Sequence, residues 1–240
     1  GYKDLQTDNN KYLSIDLGID NLATMVNNIG LKPVIANGKG LKSINKYYNK
    51  KISYYKSTLE KMNHKKTSKR IDNLWLKRNN KINNYLHNTS RYIVNYCNNN
   101  NINTIIIGKN DGWKNNSNLG KVNNQTFVQI PFDRLIQQIQ YKAEELGINV
   151  ELIEESYTSG TSFLDGELPS KEYYNKSRRI KRGLFKTNTG KLINSDVNGS
   201  LQIMVKYLNV SSDDVVISLG KLSNIQEVLG LVANPVKVNF

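Results

Sequence analysis

The chain has 240 residues, 38% of them hydrophobic, and its 34 Lys and Arg against 20 Asp and Glu give a formal net charge of +14. This length allows one large domain or two modest ones, and the charge favours a polyanionic partner, with nucleic acid as the default. An anionic membrane surface and simple solubility are the alternatives. The single cysteine, Cys97, excludes an intrachain disulfide and a cysteine zinc site, and no apolar run approaches the ~20 residues of a membrane span.

The N-terminal part of the chain predicts three short strands. Lys11 to Leu17 alternates and is rich in strand formers, and Asn21 to Val26 follows a turn that Gly18 opens. Lys32 to Ala36 predicts the third strand, which Gly38 closes. Strands joined by such short turns form an antiparallel meander.

The segment from Lys39 to Asn100 predicts a basic helical hairpin. Apolar residues between Ile71 and Cys97 follow the 3.6-residue period of a long helix, and a looser pattern from Leu41 to Met62 predicts the other helix. Fifteen Lys or Arg lie between Lys39 and Arg91, against two acids. This surface either grips a nucleic-acid duplex through charge and shape or is simply solvated.

The remainder of the chain alternates strands and helices. In order, the patterns predict a buried strand over Ile102 to Ile107, a helix after Pro131, a strand over Asn149 to Ile153, an irregular segment and a final amphipathic helix from Asn194. An RNase H-like fold has this order of elements. We therefore expect an α/β domain over residues 11–208, with a mixed five-stranded sheet. The insertion 39–100 interrupts this domain, and residues 209–240 form a C-terminal tail.

Two carboxylates lie where this fold can hold divalent cations. Asp16 lies in an otherwise apolar strand, and Asp196 lies at the start of the final helix. Phosphodiester cleavage by two divalent ions requires several carboxylates in one place, because hard ions such as Mg²⁺ prefer oxygen ligands. Taken alone, Asp16 is equally well explained as a turn former, and Asp196 as a first-turn acid that the helix dipole favours. Their joint placement favours a metal site.

Three motifs, in this order, resemble the RuvC-like domain of TnpB, the transposon-encoded RNA-guided nuclease family that is related to Fanzor proteins and type V CRISPR effectors. They are Asp16-Leu17-Gly18, Tyr157-Thr158-Ser159 and Asn194-Ser195-Asp196-Val197-Asn198, with a weaker echo at Pro235-Val236-Lys237. The resemblance implies an endonuclease that uses Mg²⁺ or Mn²⁺ and binds a guide RNA and target DNA. It also implies a cytoplasmic, nucleoid-associated bacterial protein without a membrane partner, and upstream recognition domains that this chain lacks.

The sequence departs from the family pattern at the second catalytic acid. The usual Glu at the end of the fourth strand is replaced by Gly108. Some members supply the acid from the next strand, just before Tyr-Thr-Ser, where this chain has Glu154 and Glu155. Strand alternation does not choose between them, and the resemblance favours Glu155. We therefore expect Asp16, Glu155 and Asp196 to be the catalytic, metal-binding residues. Gly108 supports the alternative, a nuclease-inactive RNA-guided DNA-binding protein of the same descent.

A second departure is the missing zinc ribbon. We expect no zinc, and we expect Phe163, Leu164, Leu184 and Phe185 to pack together where relatives hold the metal.

Basic and aromatic residues near these motifs are candidates for nucleic-acid contacts. The set comprises Lys109, Asn110, Trp113, Lys114, Arg178, Arg179, Lys181 and Arg182. The basic residues suit a phosphate backbone, and Trp113 suits stacking on a base. A solvated basic loop and a tryptophan that covers the edge of the core are the alternatives.

Overall fold

The structure is a computed structural model that describes residues 4–5, 7–63, 66–109, 130–211 and 235–240. Within these residues the regular elements are, in order, β1 (Tyr12–Leu17), β2 (Asn21–Asn27), β3 (Val34–Asn37), α1 (Lys39–Asn63), α2 (Lys69–Asn99), β4 (Thr104–Lys109), α3 (Phe132–Glu144), β5 (Asn149–Glu154), β6 (Leu184–Lys186), β7 (Leu192–Asn194), α4 (Ser195–Ser211) and β8 (Val236–Val238). The predicted meander, the helical hairpin and the later strand–helix–strand order are confirmed.

The central sheet is mixed and has six strands, in the order β5-β4-β1-β2-β3-β8. β1 pairs antiparallel with β2 and parallel with β4, and β5 continues the parallel side. The expectation of five strands is wrong, because β8 pairs parallel with the edge strand β3 and brings part of the expected C-terminal tail into the sheet. A three-residue strand has too short a pattern to predict, although it gives the exposed edge of β3 its hydrogen-bond partners.

Alternation along β1 assigns its side chains to two different faces of the sheet. Leu13, Ile15 and Leu17 lie in a core that β1 shares with α2 and α3. On the other face, Ser14 donates a hydrogen bond to the carbonyl of Ser200 in α4 (2.6 Å). Asp16 therefore lies on the α4 face, next to a helix that packs directly on the sheet.

The helices α1 and α2 pack against each other beyond the sheet. Tyr48, Ile52 and Ile71 form a separate small core between them, and Ser68 caps α2 by accepting a hydrogen bond from the Ile71 amide. Most of the basic residues of this hairpin are exposed. None of the helices described combines the length and the apolar character that crossing a membrane requires.

The segment between β5 and α4 is more ordered than the sequence predicts, because β6 and β7 form a small antiparallel sheet within it. Phe163 and Phe185 are buried against α4, and Leu164 packs on the same cluster. Glu167 lies beside them, 9% exposed, and binds the Arg178 guanidinium at 2.6 Å. We call Phe163, Glu167, Arg178 and Phe185 the loop core.

Candidate active site

Five carboxylates line one open cavity at the carboxyl ends of the parallel strands. The cavity measures about 730 Å³, and its acidic residues are Asp16, Asp20, Glu154, Glu155 and Asp196. Ligands of open α/β sheets commonly bind at this edge, because loops from several strands meet there. We call this cavity the acidic pocket.

Asp16 lies where an ionised carboxylate is disfavoured. Burial, and then the negative charges of Glu155 and Asp196, raise the pKa of Asp16 well above its usual range, and only the Arg179 charge lowers it. The backbone of α4 also approaches closely, since a Cβ on Gly199 would lie 3.0 Å from Oδ2 of Asp16. A cation that entered this position would relieve the repulsion among the three carboxylates.

Ile203 and Glu155 together occupy the space that a side chain at position 108 would need. A Cβ on Gly108 would lie 2.4 Å from Cδ1 of Ile203 and 3.1 Å from Oε2 of Glu155. Gly108, near the end of β4, thus leaves room for Glu155, which lies just beyond the neighbouring strand β5. In this sense the two residues are complementary.

Glu154 faces a different environment from Glu155. Its side chain is 61% exposed, and its Oε2 lies 3.4 Å from Nζ of Lys206 in α4. The ammonium of Lys206 also donates to the hydroxyl of Ser156 at 2.7 Å. Glu154 thus lies at the rim of the acidic pocket. The charge on Glu155, rather than that on Glu154, acts on Asp16.

Asp196 is directed into the acidic pocket and does not cap its helix. The amides of Asp196 and Val197 donate to Oδ1 of Asn194, so Asn194 takes the capping role. The Asp196 carboxylate accepts hydrogen bonds from Asn21 Nδ2 at 2.6 Å and from a guanidinium nitrogen of Arg179 at 3.1 Å. Both of its oxygens are therefore engaged.

The chemistry of the acidic pocket fits a hard divalent cation, since it offers several carboxylate oxygens around the partly buried Asp16. An orphaned hydroxyl, Oγ1 of Thr24, also lies in its wall with no hydrogen-bond partner in the described part of the chain. As they stand, no three His, Cys, Asp or Glu side chains among the described residues are grouped closely enough to hold a metal ion. Asn21 and Arg179 each take up one acceptor position on the Asp196 carboxylate, and the positive charge of Arg179 would compete there with a cation.

The basic residues expected near the site differ in their surroundings. Arg179 lies over the acidic pocket and binds Asp196, Arg182 pairs with Asp20 there, and Lys109 is part of the wall. Lys181 is exposed outside the pocket. Arg178 is turned inward, with a side chain 14% exposed, so a phosphate contact from it would require breaking its pair with Glu167.

The expected contacts of Asn110, Trp113 and Lys114 lie outside the described residues.

Sequence reasoning missed three residues of the acidic pocket. Asn21 donates to Asp196, Asp20 pairs with Lys42 at 2.5 Å, and Thr24 is the cross-strand partner of Asp16. Asp20 and Asn21 come shortly after Asp16 in the sequence. This closeness to a candidate metal ligand was the one signal that could have identified them. The pairing of Asp16 with Thr24 becomes visible only with the register of β1 and β2.

Two protein families match the chain over separate segments. The family OrfB_IS605, described as "Probable transposase", matches residues 3–114, and the family "Cas12f1-like, TNB domain" matches residues 132–203. No curated protein matches the chain in sequence.

Solved structures of Cas12f are similar to this chain in fold. A cryo-EM structure of a Cas12f1-sgRNA-target DNA complex matches with a TM-score of 0.61 and 19% identity, over 84% of this chain and 51% of that one. A CRISPR-Cas12f ternary complex matches with a TM-score of 0.60 and 20% identity, over 85% of this chain and 40% of that one. The chain therefore spans about half the length, or less, of these two solved proteins.

Proposed function

We propose that this chain, a member of the TnpB-like, type V effector family, is the catalytic part of an RNA-guided DNA endonuclease with a RuvC-like, RNase H-like fold. The order of its elements supports this fold. A β-meander, an inserted helical hairpin and a strand–helix–strand unit precede the helix that carries Asp196.

The complementary placement of Gly108 and Glu155 carries the proposal. Oε2 of Glu155 lies 3.1 Å from the position of a Cβ on Gly108, so the neighbouring strand brings a carboxylate close to the strand that lacks the usual acid, and its charge acts on Asp16. The raised pKa of Asp16 adds support, because clustered like charges in a cleft are typical of catalytic sites.

In the proposed reaction, Asp16, Glu155 and Asp196 would hold two Mg²⁺ or Mn²⁺ ions at the acidic pocket. When bound, such ions supply an activated water and a positive charge beside the leaving oxygen. Asn21 orients the Asp196 carboxylate through its 2.6 Å hydrogen bond. Arg179, once released from Asp196, is positioned to contact a phosphate at the mouth of the pocket.

The charge distribution supports guide RNA and target DNA as partners. Arg179, Arg182 and Lys109 border the acidic pocket, and the hairpin adds a second basic surface. A protein that grips a guide–target duplex by charge and shape needs such surfaces more than base-reading contacts. The two similar Cas12f structures are themselves complexes, one of them with sgRNA and target DNA.

The second candidate is a nuclease-inactive RNA-guided DNA-binding protein. The ion pair between Arg179 and Asp196 favours it, because an arginine that permanently neutralised Asp196 would serve in place of a metal. The two candidates differ in DNA cleavage, and therefore in whether the protein needs a divalent cation.

A plasmid-cleavage assay tests the proposed function. In the presence of a guide RNA, the protein should cut a matching supercoiled plasmid in Mg²⁺ and not in EDTA. The Asp16→Asn variant should bind the guide RNA and the plasmid but leave the plasmid uncut. Guide-dependent binding without any cleavage by the parent protein would favour the inactive candidate.

A further inference from the structure

The side chain of Thr24 lies at the acidic pocket without a hydrogen-bond partner. Thr24 is 1% exposed, and its Oγ1 is one of the few buried side-chain atoms, among the described residues, that make no hydrogen bond. Burying a hydroxyl without a partner is destabilising, and most buried polar groups are paired. An unpaired hydroxyl in the wall of the acidic pocket therefore points to a hydrogen bond that forms only in another arrangement of the pocket.

Neighbouring hydroxyls show that this unpaired group is specific to Thr24. Ser14 Oγ donates to the carbonyl of Ser200 at 2.6 Å, and Ser200 Oγ lies 3.0 Å from the carbonyl oxygens of both Ser14 and Thr24. The contact between β1, β2 and α4 thus satisfies its other hydroxyls. The backbone of Thr24 is held in place while its own hydroxyl remains unpaired.

The strand register identifies the carboxylate that Thr24 faces. Thr24 on β2 is the antiparallel partner of Asp16 on β1, so the two side chains lie on the same face of the sheet. Directly opposed residues have Cβ atoms roughly 4.5–5.5 Å apart, which is within reach of a hydrogen bond between a threonine and an aspartate. Asp196 already accepts from Asn21, and Glu155 lies on the far side, beyond β4.

We propose that the Thr24 hydroxyl positions Asp16 for cation binding by donating a hydrogen bond to its carboxylate. One oxygen of Asp16 then faces the cation while the other accepts from Thr24. Hydrogen bonds of this kind orient ligating carboxylates in metal sites. The inference rests on the proposed function, since it concerns the same pocket, and Thr24 is a positioning residue rather than a ligand.

Thr24→Val is the decisive variant, because valine keeps the shape of threonine and removes the hydroxyl. Isothermal titration of the 240-residue chain with Mn²⁺ should show affinity weakened about 10- to 100-fold, the usual effect of removing a hydrogen bond that orients a metal ligand. Without cation, the thermal midpoint of Thr24→Val should equal or exceed that of the parent. Thr24→Ser, which keeps the hydroxyl, should bind Mn²⁺ nearly as the parent does.

Thr89 provides the matched control. It is also fully buried, but its hydroxyl donates to the carbonyl of Tyr85 at 2.9 Å within α2, away from the acidic pocket. Thr89→Val should therefore lower the thermal midpoint and leave Mn²⁺ affinity unchanged.

Parent-like Mn²⁺ binding by Thr24→Val would overturn the role of Thr24, as would binding by Thr24→Ser as weak as that of the valine variant. Absence of Mn²⁺ binding by the parent itself would overturn the proposed function, and the role of Thr24 with it.

Discussion

The loop core and the acidic pocket use consecutive arginines in opposite ways. Arg178 is turned into the loop core, where it binds Glu167 at 2.6 Å and both side chains are largely buried, at 14% and 8% exposure. Arg179 extends over the acidic pocket and binds Asp196 at 3.1 Å, with 45% and 26% exposure. The first pair is enclosed and the second can exchange with solvent, cations or phosphate.

The surroundings of Glu167 and of Asp16 show the same contrast. Glu167 also accepts hydrogen bonds from the Ser162 amide and from the Asn188 side chain, at 2.8 and 3.0 Å, so its carboxylate is saturated by the protein. Burial, and then the like charges of Glu155 and Asp196, raise the pKa of Asp16. The same residue types thus stabilise the loop core, whereas in the acidic pocket they leave an excess of negative charge that a bound cation can neutralise.

The largest effect should come from replacing Glu155, the acid whose charge acts on Asp16 in the acidic pocket. Glu155→Ala should lower plasmid cleavage by at least about 10³-fold, because losing a metal ligand removes several kcal/mol of transition-state stabilisation. Glu154→Ala is the control, and it should have a mild effect, since Glu154 lies at the rim beside Lys206. An inactive Glu154→Ala with an active Glu155→Ala would reverse the assignment of these two residues.

The next effect concerns the stability of the loop core. Arg178→Ala should lower the free energy of unfolding by about 3–5 kcal/mol, because it leaves the buried charge of Glu167 unpaired. Arg179→Ala should lower it by less than about 1 kcal/mol, as expected of an exposed pair. Urea denaturation of both variants measures the difference, and equal losses would abolish the distinction between the two regions.

A third prediction concerns the basic surface of the helical hairpin. Lys66, Lys69 and Arg70 are exposed where α2 begins, and reversing all three to Glu should weaken nucleic-acid binding. For B-DNA, the log–log dependence of affinity on salt should flatten by about 0.9 for each phosphate that the variant no longer neutralises. An unchanged slope would mean that the hairpin is only solvated, and a loss of helix by circular dichroism would disqualify the variant.

The smallest effect tests whether Arg179 competes with cations. Arg179→Ala should strengthen Mn²⁺ binding by a few-fold, since an exposed ion pair is worth at most about 1 kcal/mol. Arg179→Lys, which keeps the charge, should change the affinity less. Weaker Mn²⁺ binding by the alanine variant would mean that Arg179 supports the site instead of competing for it.

The sequence predicted the elements with long, regular patterns and missed the short ones. Apolar periodicity over Ile71 to Cys97 is enough to specify α2, and the apolar run before Gly108 specifies β4. β6, β7 and β8 have three residues each, which is too few for a period to emerge.

The site was predictable at the level of motifs and not at the level of individual side-chain partners. Asp16 and Asp196 follow from their positions at element ends. Alternation left Glu154 and Glu155 equivalent and the resemblance favoured Glu155, but their physical difference appears only in their packing, against Gly108 for Glu155 and beside Lys206 for Glu154. Nothing in the basic run indicated that Arg178 turns inward, because its partner Glu167 lies in a segment without periodic pattern.

Anomalous scattering from crystals grown in Mn²⁺ tests the proposed metal site most directly. We expect Mn²⁺ in the acidic pocket, coordinated by Asp16, Glu155 and Asp196, with the Arg179 guanidinium displaced from Asp196. Asp16→Asn crystals provide the control and should lose the signal. A pocket without Mn²⁺ at saturating concentration, in which Arg179 still binds Asp196, would contradict the assignment of these three carboxylates as metal ligands.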